Sequence, residues 1–169
     1  MVYTVTFNPA VDYIVHTKQL IAGATNRSDS EEIYFGGKGI NVSIVLSELG
    51  VKSKALGFVA GFTGEAIENG VAEKGIDADF VHLNEGFSRI NVKIKSGEET
   101  ELNGQGPKIT DEAIRELYAK LDEIQDGDTL VLAGSIPSSL PADIYERILE
   151  RLSGKKIRAV VDLSLIHIS

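Results

Sequence analysis

Tyr34-Phe35-Gly36-Gly37-Lys38-Gly39-Ile40-Asn41 gathers three glycines and a lysine just ahead of an apolar stretch with helical spacing. Backbone without a Cβ lets a ligand approach closely, and the N–H groups that open a helix favour an anion or a polyhydroxyl partner. Two phosphate-binding loops can be tested against it. A Walker A loop needs Gly, four residues, then Gly-Lys-Ser/Thr, but Gly37-Lys38 is followed by Gly39 and the position five before Gly37 is Glu32. A dinucleotide fingerprint needs Gly-x-Gly-x-x-Gly directly after the first strand, but Gly37-x-Gly39 runs on to Val42, about 30 residues beyond that strand. The loop is neither, and a nucleotide-binding oxidoreductase is disfavoured with it.

Other residues can act with the loop. Asn8-Pro9-Ala10-Val11-Asp12 leaves the end of the first strand and offers a carboxylate able to accept hydroxyl hydrogen bonds. Gly134-Ser135-Ile136-Pro137 leaves the apolar run TLVLA in the same way, and two loops at one edge of a parallel sheet define one crevice. Arg89 and Asn91 point the same way along an alternating strand, and the arginine fork suits bidentate phosphate contact. Metal-thiolate, disulfide and cysteine-nucleophile chemistry are excluded by the absence of Cys, and His16, His82 and His167 form no pair at ligand spacing.

These residues need elements to hold them. Val2 to Phe7 reads as a buried strand that stops at Asn8-Pro9, and KALGFVAG as another. Ile40 to Leu49 is predicted as an amphipathic helix with Val42, Val45, Leu46 and Leu49 on its apolar face and Gly50 as its stop. A second helix carries Ile67, Gly70 and Val71 and ends at Lys74-Gly75, before a strand over Asp79 to Leu83. Arg89 to Lys95 alternates, turns at Ser96-Gly97 and returns as Glu98 to Asn103. Thr110 or Asp111 caps a helix bearing Ile114, Leu117, Leu121 and Ile124, followed by the strand Thr129 to Ala133. Ser139 and Pro141 are expected to start a helix bearing Ile144, Tyr145, Ile148 and Leu152, ahead of a last strand over Ile157 to Val161. Apolar strands alternating with helices predict a parallel sheet covered on both faces. Alternating strands at Asp12 to His16, Glu31 to Phe35 and Arg89 to Asn103 predict a small second sheet outside it.

The 169 residues carry net charge −8 and 25% charged side chains, the composition of an ordinary globular chain. An acidic balance argues against nucleic-acid and anionic-membrane partners, which are bound by clustered Lys and Arg. No run reaches the roughly 18–20 apolar residues of a membrane span, and the N-terminus lacks a basic flank with an apolar h-region, so a cytoplasmic location is expected. An anionic ligand must therefore be held by a few placed cations.

Taken in order, NPAVD, GGKGINVS, SRINVKI and LAGSIP resemble the PfkB, or ribokinase-like, carbohydrate kinases, and within them the 1-phosphofructokinase and tagatose-6-phosphate kinase branch. The resemblance runs from residue 1 to about Asp162. It departs in one place: the family's first signature expects a glycine ten residues after Gly50, where this chain has Ala60 and then Gly61. It implies a Rossmann-like three-layer α/β/α domain with a small β-sheet lid, with strands near 11–35 and 88–104, that closes over the sugar and serves as a homodimer interface. By position, Asp12, Gly37 and Asn41 match residues that hold sugar hydroxyls, and Arg89 matches one that binds the substrate's existing phosphate. Lys38, Arg27, Asn103 and Ser135 are candidates for the same pocket.

The implied activity is transfer of the ATP γ-phosphoryl group, with Mg2+, to fructose 1-phosphate, giving fructose 1,6-bisphosphate. The alternatives are tagatose 6-phosphate as substrate, or a non-catalytic sugar-phosphate binding module. The family's catalytic aspartate, its Gly-Ala-Gly-Asp anion hole and its Asn-x-x-Glu motif belong to a C-terminal half, and none of these motifs occurs here. Residues 1–162 are thus expected to be the N-terminal, sugar-binding part of a larger domain, without a catalytic base and inactive alone. Leu163-Ser164-Leu165-Ile166-His167-Ile168-Ser169 resembles the translation of a sequencing adapter and is set apart from the fold.

Overall fold

The computed structural model describes residues 1–162; the tail 163–169, with His167, lies outside the described residues. In chain order the elements are β1 (Val2–Thr6), β2 (Ala10–His16), β3 (Ser30–Gly36), α1 (Lys38–Glu48), β4 (Ser53–Ala60), α2 (Gly61–Glu73), β5 (Asp77–Ala78), β6 (Val81–Leu83), β7 (Arg89–Ser96), β8 (Glu98–Asn103), α3 (Asp111–Asp122), β9 (Thr129–Ala133), α4 (Ile144–Arg151) and β10 (Arg158–Asp162). The main sheet runs β10-β9-β1-β4-β5, with β6 also on β4, and every pairing in it is parallel. A separate sheet, β3-β2-β7-β8, forms the predicted lid.

Period-two alternation sends the main strands' side chains to two cores. Leu56, Phe58, Leu130 and Leu132 pack with Leu117 and Leu121 of α3 and Ile144 and Ile148 of α4. Ala55 and Val59 pack on the other side with Ile40 of α1 and Ile67 and Val71 of α2. The result is the expected three-layer α/β/α arrangement. Thr110 caps α3 as predicted, its hydroxyl accepting from the Ala113 N–H at 3.3 Å.

Three expectations about elements are corrected. In α1 the buried residues are Gly39, Ile40 and Ser43, while of the predicted core stripe Val42 and Leu46 are only half-buried and Val45 and Leu49 are 53% and 72% exposed. The reason is a close polar approach to β1. The Ile40 N–H donates to Thr6 Oγ1 at 3.0 Å, the Ser43 and Thr4 hydroxyls share a bond of 2.8 Å, and a Cβ on Gly39 would lie 2.6 Å from Thr6 Oγ1. The strand expected over Asp79 to Leu83 is instead the two short strands β5 and β6, with Asp79 between them pairing to Lys120 and Lys54. α4 begins at Ile144, not at Ser139 or Pro141: Ser139 Oγ accepts from the Ile109 N–H instead, and residues 137–143 form turns that precede the helix.

The lid sits on the main domain through one end of one face. Val11 is buried among α2 and β4 residues, and Phe35 lies over Gly70, where a Cβ would strike its ring. Register then sorts the remaining side chains. Tyr34, Asp12, Asn91 and Asn103 form one row across the lid, and Ile33, Tyr13, Val92 and Leu102 form a row on the opposite face.

Candidate functional site

The C-terminal ends of β1 and β9 and the start of α1 enclose a crevice of about 180 Å³, lined by Thr6, Phe7, Asn8, Gly37, Lys38, Arg89, Ala133, Gly134 and Ser135. Parallel strands end here together, so the backbone groups beyond them converge. Four of the sequence-predicted residues line the crevice: Gly37, Lys38, Arg89 and Ser135. The volume is below the roughly 300–1,000 Å³ of a complete small-molecule pocket, so these groups form one wall of a site.

Gly37 opens α1 with φ 136°, a conformation an L side chain resists, and a Cβ there would strike Thr6. The loop thus lies flat on β1, and of the N–H groups that open α1 that of Ile40 is taken by Thr6 Oγ1. Lys38 Nζ stands 3.5 Å from Asp162 Oδ2, tying the loop to the end of β10. The far wall is braced by Tyr145, whose hydroxyl donates to the Gly134 carbonyl at 3.0 Å. Burial, and then the charge of Asp162, pushes the Tyr145 phenol up to about 12, so it is a permanent donor at neutral pH.

Arg89, at the start of β7, crosses from the lid to the main domain. Its Nε donates to the Asn8 carbonyl at 3.1 Å, and among the described residues its Nη groups make no hydrogen bond. Burial lowers its guanidinium from the ordinary value while the Asp12 carboxylate opposes that shift. It remains a cation, and it lines the crevice beside Asn8.

Asp12 and Asn41 converge on Gly36, next to the loop: a Cβ there would lie 3.2 Å from Asn41 Oδ1 and 3.9 Å from Asp12 Oδ2. Asp12 Oδ1 accepts from Asn91 Nδ2 at 2.8 Å, and Lys93 Nζ lies 3.8 Å from Oδ2. Asn103 shares the Asp12 row but is exposed, with Nδ2 3.4 Å from Glu101 Oε2. Arg27 lies apart from the others, in the exposed loop 17–29, where its carbonyl accepts from the Thr17 hydroxyl. Sequence reasoning did not single out Thr6, Lys93 or Asp162. Lys93 could have been found from the alternation that paired Arg89 with Asn91, and Asp162 from its place at a strand end like Asn8 and Gly134.

His16 pairs with Glu32 at 2.8 Å and His82 with Glu68 at 3.3 Å, both on the surface. Among the described residues no group of three or more His, Cys, Asp or Glu comes together to hold a metal, and no helix is long and apolar enough to cross a membrane. A larger groove of about 670 Å³ runs between β6 and the start of α3, past His82, Glu85, Lys108, Glu112 and Glu116, and contains none of the predicted site residues.

Chemically, the crevice offers an arginine fork, a lysine and helix-opening N–H groups for anionic oxygens, beside a carboxylate and an amide for hydroxyls. The model of the pfkB family of carbohydrate kinases matches residues 5–166. A 1-phosphofructokinase of Bacillus subtilis is 52% identical over 97% of this chain and 54% of its own length. A D-tagatose-1-phosphate kinase of Bacillus licheniformis is 40% identical over the same shares. The crystal structure of Escherichia coli phosphofructokinase-2 in complex with substrates and products superposes with a TM-score of 0.89 at 26% identity, covering 96% of this chain and 54% of that one. The chain thus spans about half the length of the curated relatives it matches.

Proposed function

The chain belongs to the pfkB family of carbohydrate kinases, and from that premise we propose that its crevice holds a ketohexose phosphate, fructose 1-phosphate first, as acceptor of the ATP γ-phosphoryl group. The product is fructose 1,6-bisphosphate. One observation carries the reading: the lid brings Arg89 into a crevice lined by the Gly37-Lys38 loop, while Asp12 and Asn41 converge on Gly36, the residue next to that loop. Arg89 then takes the existing phosphate, Asp12 and Asn41 take ring hydroxyls, and the α1 N–H groups face the remaining oxygens. Loose phosphoryl-transfer transition states need positioning and cation clamps more than covalent help, and a lid keeps water from competing as acceptor.

Asp12 is engaged by Asn91 and Lys93, and Asp162 by Lys38. These residues do not fit a magnesium site: Asp12 serves the sugar phosphate and Asp162 the loop. Among the described residues that line the crevice there is no carboxylate or histidine to take the acceptor hydroxyl's proton, and residues 1–162 are proposed to be the sugar-binding part of the kinase, inactive alone. The tail 163–169 is proposed to take no part. A second copy of the chain is proposed as partner through the lid, whose face opposite Asp12, beyond the end seated on the main domain, exposes Ile33 at 58% and Leu102 at 72%.

D-Tagatose 1-phosphate is the second reading for the substrate, because the relative bearing that name also matches across the whole fold. Tagatose 6-phosphate, the alternative reached from sequence, differs from both in the position of its phosphate. Calorimetric titration of the chain with the three sugar phosphates tests the proposal. We expect binding of fructose 1-phosphate in preference to the others, lost in Arg89→Ala and in Asp12→Ala. Equal binding by these variants overturns the site, and sustained turnover in a coupled kinase assay by the chain alone overturns the claim of inactivity.

A further inference from the structure

Lys93 lies on the lid face that carries Asp12, one row farther from the main sheet, between Ile14 and Glu101. Its ammonium faces two carboxylates, Asp12 Oδ2 at 3.8 Å and Glu101 Oε1 at 3.9 Å. The other oxygen of Asp12 is held by Asn91, a side chain only 7% exposed. The Asn91 amide is oriented without ambiguity, since turning it over would set Oδ1 against a carboxylate; in the orientation found, Oδ1 has no partner among the described residues. Asp12 is therefore gripped on Oδ1, with Oδ2 turned toward Gly36 and the glycine loop.

A carboxylate suits hydroxyls but repels a phosphate, and this chain already carries net charge −8. The field of Asp12 also reaches Arg89, the cation best placed for the phosphate. We propose that Lys93 is a positioning residue for the sugar-phosphate site: it offsets the Asp12 charge and sets the Asp12 carboxylate against Asn91, so that Oδ2 stays aimed at a hydroxyl and Arg89 stays available to the phosphate. Lys93 acts through Asp12 and does not touch the substrate. Asp12 and Glu101 are the charged groups that face it. This assignment rests on the sugar-phosphate reading above.

The test combines a double-mutant cycle with a ligand-free measurement. Lys93→Met keeps the length of the side chain and removes the charge; Lys93→Arg restores the charge. By calorimetry on the full chain, Lys93→Met should weaken fructose 1-phosphate binding about fivefold and Lys93→Arg less than about twofold. In an Asp12→Asn background, Lys93→Met should add less than about twofold, because the group it acts through has gone. Equal losses in both backgrounds would show Lys93 binding the phosphate itself and overturn the proposal, as would unchanged binding in the single variant. Without ligand, the Asn91 side-chain amide resonances should move in Lys93→Met and return in Lys93→Arg. Static resonances overturn the positioning role whatever the sugar does. Failure of the unsubstituted chain to bind fructose 1-phosphate overturns the functional reading, and the amide resonances then still decide whether Lys93 sets Asp12.

Discussion

The main sheet and the lid treat apolar side chains in opposite ways. β4 and β9 are buried nearly throughout, with helices on both faces, whereas β7 is only half-buried and β8 fully exposed. In β4 and β9 the side chains are spent on packing, while the edge strand β10 is exposed throughout, and the chemistry is left to the loops beyond the strand ends. The lid has one polar face, so its strands themselves carry Asp12, Asn91, Lys93 and Arg89. Packing is thus concentrated in the main sheet and charged groups on the lid strands, the two being joined through Val11, Phe35 and the Arg89–Asn8 bond.

The largest expected effect strikes the main domain. Leu117 is 1% exposed between α3 and the sheet, and Leu117→Ala should cost about 3–4 kcal/mol in chemical denaturation. A loss below about 1 kcal/mol would deny that this layer carries the stability.

A somewhat smaller effect depends on pH. The Tyr145 phenol is raised from 10.0 to about 12, so its contribution is fully present below pH 10 and is lost as the pH rises toward 12. Unfolding free energies measured across that window should fall by about 2–3 kcal/mol more in the unsubstituted chain than in Tyr145→Phe. Parallel curves would mean that the phenol is not held by burial.

In the lid the readout changes from stability to affinity. Arg89→Ala should weaken fructose 1-phosphate binding by about tenfold to a hundredfold, as expected for loss of a charge-assisted hydrogen-bonding group. It should barely move the denaturation midpoint. A large stability loss without an affinity change would reverse the division between the two sheets.

The smallest effect belongs to the outer lid face. Leu102→Ser should leave the stability of the monomer within about 0.5 kcal/mol, measured by denaturation at high dilution, because the side chain is 72% exposed. The proposed pairing of lids should respond more, and sedimentation of Leu102→Asp against the unsubstituted chain reads it.

Much of this was legible in the residues. Thr129–Ala133 and Glu98–Asn103 have the boundaries expected from their patterns, and the separate sheet followed from alternation alone. The inward face of α1 was not legible, because a Thr-Ser contact and a glycine notch outweighed the regular stripe of Val and Leu. Periodicity counts apolar residues and is blind to how closely a helix approaches a strand. The beginning of α4 was missed for a related reason: Ser139 and Pro141 have the chemistry of a helix start, but Ser139 is bound to the neighbouring Ile109 backbone.

Within the site, the sequence alone settled which chemical groups are present: a glycine-lysine loop, an aspartate after the first strand, an arginine on an alternating strand and no thiol. Such choices are local, set by backbone freedom, charge and the period of a strand. Tertiary structure decided which of those groups meet. Asp12 and Asn41, far apart along the chain, converge over Gly36, while Arg27 lies apart in the exposed loop 17–29. Lys93 and Asp162 joined the site only through pairing, since β2 must lie beside β7 and β10 beside β9 before either charge finds its partner. Strand register across the sheets is a long-range property, and no local pattern in the residues encodes it.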